Sequence, residues 1–92
     1  MFYKWCKGNN VSVIRNELGF EYTWDKERLY YPDFYLPELD CYVEIKGYQT
    51  DRDDCKWSDF KRELLIVKSE QIKLIEQNNF SVDELLSCLF AV

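Results

Sequence analysis

Residues 29–48, LYYPDFYLPELDCYVEIKGY, constrain this chain more than any other stretch, because they read as two β-strands closed by a tight turn. Tyr30, Tyr31, Phe34 and Tyr35 are strand-favouring aromatics, and Tyr42, Val43 and Ile45 continue the preference beyond the turn. Pro37-Glu38-Leu39-Asp40 has turn chemistry: proline presets φ, and the aspartate side chain can bond its own backbone. A four-residue loop pairs Leu36 with Cys41, Tyr35 with Tyr42, Phe34 with Val43 and Asp33 with Glu44. That register sets two carboxylates on one face, roughly 5 Å apart at Cβ. Lys46 shares the face, because strand side chains alternate.

A solvated polar face is the ordinary fate of such a hairpin. Like charges directly opposite one another, however, destabilise a strand pair. Two carboxylates sharing a site call for a proton, a cation or a metal. Two oxygen-rich acids and a lysine on adjacent strands suit a hard divalent cation, Mg²⁺ or Mn²⁺.

Pro32-Asp33, ten residues and then Glu44-Ile45-Lys46 make the pattern P-D-x10-E-I-K, which resembles the signature of the PD-(D/E)xK nuclease superfamily. The fuller string PDFYLP…YVEIKGY is most similar to small phage nucleases of the endonuclease I type, which resolve Holliday junctions. The resemblance covers about residues 10–68. It implies a restriction-endonuclease-like αβββαβ core, a mixed four-stranded sheet flanked by helices, with extra C-terminal helices here. It also implies metal ligation by Asp33, Glu44 and the Ile45 carbonyl, and a catalytic Lys46 that orients or deprotonates water. In that family a first-helix acid often completes the metal site, and by that similarity Glu17 is the candidate.

Absence of histidine removes Ser-His-Asp and Cys-His catalysis and any histidine base, so hydrolysis would rest on carboxylates, lysine and metal. Cys6, Cys41, Cys55 and Cys88 form no C-x-x-C pair, which argues against zinc. A net charge of −5 is unusual for a nucleic-acid binder, although the site acids contribute to it. Ninety-two residues suggest a single domain, 1–92, and 47% apolar content supplies its core. The longest apolar run, Leu64 to Val67, cannot span a bilayer, and Met1 to Trp5 lacks a signal-peptide core, so no membrane partner and a cytoplasmic address are expected.

In chain order, Phe2 to Cys6 is open between a strand and an arm. Asn10 caps an expected helix from Val11 to Leu18 that ends at Gly19. Phe20, Tyr22 and Trp24 mark strand one; residues 28–36 and 41–48 are strands two and three. Pro32, lacking an N–H, belongs at a bulge or on an unpaired side, where it could help aim Asp33. A helix from Asp53 to Glu63 buries Trp57, Phe60 and Leu64, with Lys56 and Lys61 beside that stripe as candidates to contact a phosphate backbone. Leu64 to Val67 is a buried strand parallel to strand three. Ser69 opens a helix ending at Asn78-Asn79, and Ser81-Val82-Asp83-Glu84 is a capping box before Leu85, Leu86, Leu89 and Phe90.

The function expected is metal-dependent, endonucleolytic hydrolysis of a nucleic acid, DNA favoured. A ribonuclease or cyclic-nucleotide nuclease with the same site, and a non-catalytic binding module on the nuclease fold, remain open. A homodimer is expected to bury Phe2, Trp5 or the Leu86–Phe90 ridge. It would form by surface packing, because no long segment suited to strand exchange is evident between strands one and two.

Overall fold

The alternation from Cys41 to Lys46 and the apolar run beginning at Leu64 suit strands inside a sheet, and both lie there in the computed structural model, which describes residues 1–90. The elements are α1 (Phe2–Gly8), β1 (Ile14–Arg15), β2 (Phe20–Thr23), β3 (Glu27–Tyr30), β4 (Phe34–Leu36), β5 (Cys41–Lys46), α2 (Asp51–Asp59), β6 (Leu64–Lys68), α3 (Ser69–Glu76) and α4 (Val82–Leu86). The molecule is mixed α/β. A four-stranded mixed sheet has the order β1-β4-β5-β6, and β2 and β3 form a separate two-stranded ribbon. β5 runs antiparallel to β4 and parallel to β6, with α2 as the crossover.

The hairpin register is as expected for Leu36–Cys41, Tyr35–Tyr42 and Phe34–Val43. Asp40 closes the turn at φ 48°, a left-handed conformation that a short polar side chain tolerates. Alternation then sends β5 side chains to two different cores. Cys41 and Val43 join Leu36, Leu65 and Val67 against Phe2, Trp5 and Cys6 of α1, Ile75 of α3 and Leu85 of α4. Tyr42 joins Leu64 and Ile66 against Tyr22 and Tyr30 of the ribbon and Trp57 of α2. The C-terminal segment borders β6, with Ile66 N–H donating to the Cys88 carbonyl and Phe90 N–H to that of Leu64.

Several expectations need correction. Residues 11–18 are not a helix; Ile14–Arg15 is a short strand paired with β4. Val11, Val13 and Ile14 are β-branched and disfavour the helical turn. Asn16 also competes locally: its Nδ2 donates to the Leu18 carbonyl and its Oδ1 accepts from Leu18 N–H. The first helix is instead Phe2–Gly8. The expected strand 28–36 is cut in two at Pro32, whose missing N–H cannot continue a ladder, and the expected meander becomes a ribbon apart from the main sheet. Residues 16–33 form a long segment between paired strands β1 and β4 that carries the ribbon, while between β2 and β3, where strands one and two were expected, only Trp24 to Lys26 intervene. The middle helix starts earlier, at Asp51, because Thr50 caps it, and it ends at Asp59, where Phe60 turns extended. The last helix ends at Leu86, and Leu89 bridges to Leu65.

Phe2 and Trp5 are buried in the chain's own core, so they are not surfaces awaiting a second subunit. Leu86 and Leu89 are exposed, while Phe90 is half-buried and packs edge-on against Trp57. No helix among the described residues is long and apolar enough to cross a membrane.

Candidate functional site

Asp33, Glu44 and Lys46 are brought to the sheet face covered by the β2–β3 ribbon and α2. Pro32 is buried and ends the extended run, so pairing stops at Phe34–Val43 and Asp33 bends out of the ladder. Asn16 fixes that bend, donating from its backbone N–H to the Asp33 carbonyl (3.1 Å) and from Nδ2 to the Pro32 carbonyl (3.0 Å). The Asp33 carboxylate does not simply face Glu44. Its Oδ2 accepts the Ile45 N–H at 2.8 Å, which ties the proline–aspartate pair to the peptide between Glu44 and Lys46. The Ile45 side chain packs on the opposite, apolar face.

Glu44 is half-buried, and the Tyr30 hydroxyl donates to its Oε1 at 2.6 Å. Burial pushes this carboxyl up to about 7; the Tyr30 bond pulls against burial, and the Asp33 charge adds to it. Burial, reinforced by the Glu44 bond, holds the Tyr30 phenol far above its usual range, so Tyr30 remains a donor. Asp33 Oδ1 and Glu44 Oε2 make no hydrogen bond among the described residues.

Lys46 Nζ pairs with Asp53 Oδ1 at 3.1 Å, and Lys56 Nζ lies 3.5 Å from the same oxygen. Lys56 also sits over the Tyr30 ring, 5.6 Å from its centroid. Asp53 is only 2% exposed. Its Oδ2 accepts from Thr50 N–H (2.9 Å) and Thr50 Oγ1 (3.0 Å), and Thr50 Oγ1 in turn accepts Asp53 N–H, a capping box at the start of α2. Burial acts to raise the Asp53 carboxyl, but the Thr50 N–H and Lys46 outweigh it and hold the group below the usual carboxylate range.

The remaining sequence candidates lie elsewhere. Glu17 is exposed in the loop after β1, and α1, the actual first helix, carries no carboxylate. Among the described residues no three His, Cys, Asp or Glu side chains converge as a metal-ligating group, so Glu17 does not complete one with Asp33 and Glu44. Lys61 is exposed beyond the end of α2. Sequence reasoning missed Tyr30, Asn16 and Asp53. Thr50-x-x-Asp53 is a capping signature in plain view; the long-range partners of Tyr30 and Asn16 leave no local signal. No family model, curated protein or solved structure matches the chain.

Proposed function

We propose that this chain is a divalent-metal-dependent nuclease of the PD-(D/E)xK type, cutting DNA endonucleolytically. One observation carries the reading: Asp33 anchored on the Ile45 N–H, with Glu44 and Lys46 on either side of that peptide. The order α1, β1, β4, β5, α2, β6 adds support. It follows an αβββαβ pattern with β5 and β6 parallel, once the β2–β3 ribbon is read as an insertion.

The donor set fits a hard cation. Two carboxylates share a half-buried site, each with one oxygen bonded to protein and one unengaged among the described residues, and their mutual repulsion is what a divalent cation relieves. Mg²⁺ is commonly held by one or two carboxylates, with water and substrate phosphate completing its octahedron, so two acids suffice. Asp33 and Glu44 would hold it, with the Ile45 carbonyl as a further ligand by family similarity. When bound, the ion supplies charge to the phosphorane-like transition state and acidifies an attacking water. Tyr30 orients Glu44 and favours its ionised form. Lys46, its ammonium paired with Asp53, orients the attacking water, a post that suits a compact ammonium with three rotatable donors.

Incubation with plasmid, single-stranded DNA and RNA, each with Mg²⁺, Mn²⁺ or EDTA, tests the proposal. Cleavage of DNA that EDTA abolishes and that Asp33→Asn reduces at least a hundredfold is expected. RNA-only cleavage would move the substrate assignment to ribonucleic acid, and no cleavage of any substrate would overturn the reading.

A further inference from the structure

We infer that Asp53 is a positioning residue that holds Lys46 and Lys56 together as a two-ammonium clamp for one substrate phosphate. The inference rests on the nuclease reading above. Asp53 is the charged side chain that the described residues bury most deeply. A carboxylate withdrawn from water is costly unless its lone pairs are matched, so its partners indicate what it is for. Capping α2 uses only Oδ2, which takes both bonds from Thr50. Oδ1 is left for the two lysines, one from β5 and one from α2, at 3.1 and 3.5 Å. Because they share a single oxygen, the two ammoniums can be no further apart than those two distances together.

The clamp lies beside the acids. Lys56 stands over the ring whose hydroxyl binds Glu44, and Lys46 is two residues along the strand from Glu44. Both ammoniums act on the Glu44 carboxyl. Two ammoniums on one carboxylate leave a single net positive charge with unspent N–H donors. A phosphodiester offers the complement, one negative charge spread over two non-bridging oxygens. Held in place beforehand, the lysines lose less side-chain freedom on binding than solvated lysines would.

Asp53→Asn keeps a cap acceptor while removing the charge. In steady-state cleavage of a DNA oligonucleotide with Mg²⁺, it should lower kcat ten- to a hundredfold and raise KM. In a Lys46→Met background the same change should cost far less. Thr50→Ala serves as the control, loosening the cap but keeping Oδ1 on the lysines; it should lower Tm and leave kcat within about threefold. A readout independent of activity is the ¹⁵N ammonium signal of Lys46, expected to be protected from water exchange in the wild type and lost in Asp53→Asn. If active wild type and Asp53→Asn share one kcat, or Thr50→Ala falls as far as Asp53→Asn, the positioning role is overturned. It is equally overturned if the wild-type Lys46 signal exchanges like that of a solvated lysine. Wild type that cleaves nothing overturns the nuclease reading itself, which separates the two failures.

Discussion

The two faces of the four-stranded sheet are built from the same strands to opposite ends. One face is dry: Leu36, Val43, Leu65 and Val67 meet Phe2, Trp5, Ile75 and Leu85, and the Trp5 indole N–H is satisfied by the Phe80 carbonyl at 3.0 Å. The other face is crowded with hydroxyls and charges: Tyr30 on Glu44, Arg52 on the Tyr22 hydroxyl, and both lysines on Asp53. β5 supplies both, sending Val43 and Ile45 one way and Tyr42 and Glu44 the other. Burial on the dry face is favourable without condition. Burial of Glu44 on the polar face is unfavourable until something offsets its charge. Both faces therefore bury an apolar core, and only the second also buries charge.

The dry face should respond most strongly to truncation. Leu85 is fully buried, and Leu85→Ala should cost about 3–4 kcal/mol, by loss of apolar burial and by the cavity left behind. Urea unfolding measures it; a loss of under about 1 kcal/mol would mean that α4 is not part of the core.

A change on the polar face should have the opposite sign. Glu44 titrates near 7 in the fold, above the ordinary range of an unfolded glutamate. Its stabilising contribution is therefore present below the unfolded pKa and is lost as pH rises through the folded value. Without divalent cations, Glu44→Gln should match the wild type near pH 4 and exceed it by about 1–2 kcal/mol at pH 8, allowing for partial solvent screening. Melting curves at the two pH values decide the matter, and a destabilised variant at pH 8 would make Glu44 a structural carboxylate.

Tyr30→Phe refines the picture with a smaller effect. Losing one hydrogen bond should cost about 1 kcal/mol. Because the hydroxyl favours the ionised carboxylate, the Glu44 midpoint should move above about 7 in the variant. Carboxyl ¹³C shifts followed through pH would show it, and an unmoved midpoint would remove Tyr30 from the site.

Much of this was legible in the chain. The turn at Pro37–Asp40, the register of three residue pairs, the parallel β6 and the capping box at Ser81 follow from local chemistry and period-two alternation. The helix expected at 11–18 does not form, because β-branched Val11, Val13 and Ile14, and Asn16, whose side chain builds a turn, outweigh the helical spacing of Ile14 and Leu18. Facing register alone put Asp33 across from Glu44; the bend at buried Pro32 instead sends the carboxylate to a backbone N–H. The role of Asp53 was hidden because its lysine partner comes from another element, and α1 was missed because a short aromatic run such as FYKWC suits strand and helix alike.

Asp33 and Glu44, as proposed, share a divalent cation. A crystal soaked in millimolar Mn²⁺ and measured at the manganese edge tests it most directly. An anomalous peak is expected between the two carboxylates, with oxygens at roughly 2.0–2.3 Å, and it should be absent from Asp33→Asn. Manganese found only elsewhere on the surface, or a wild-type site without a peak, would contradict it.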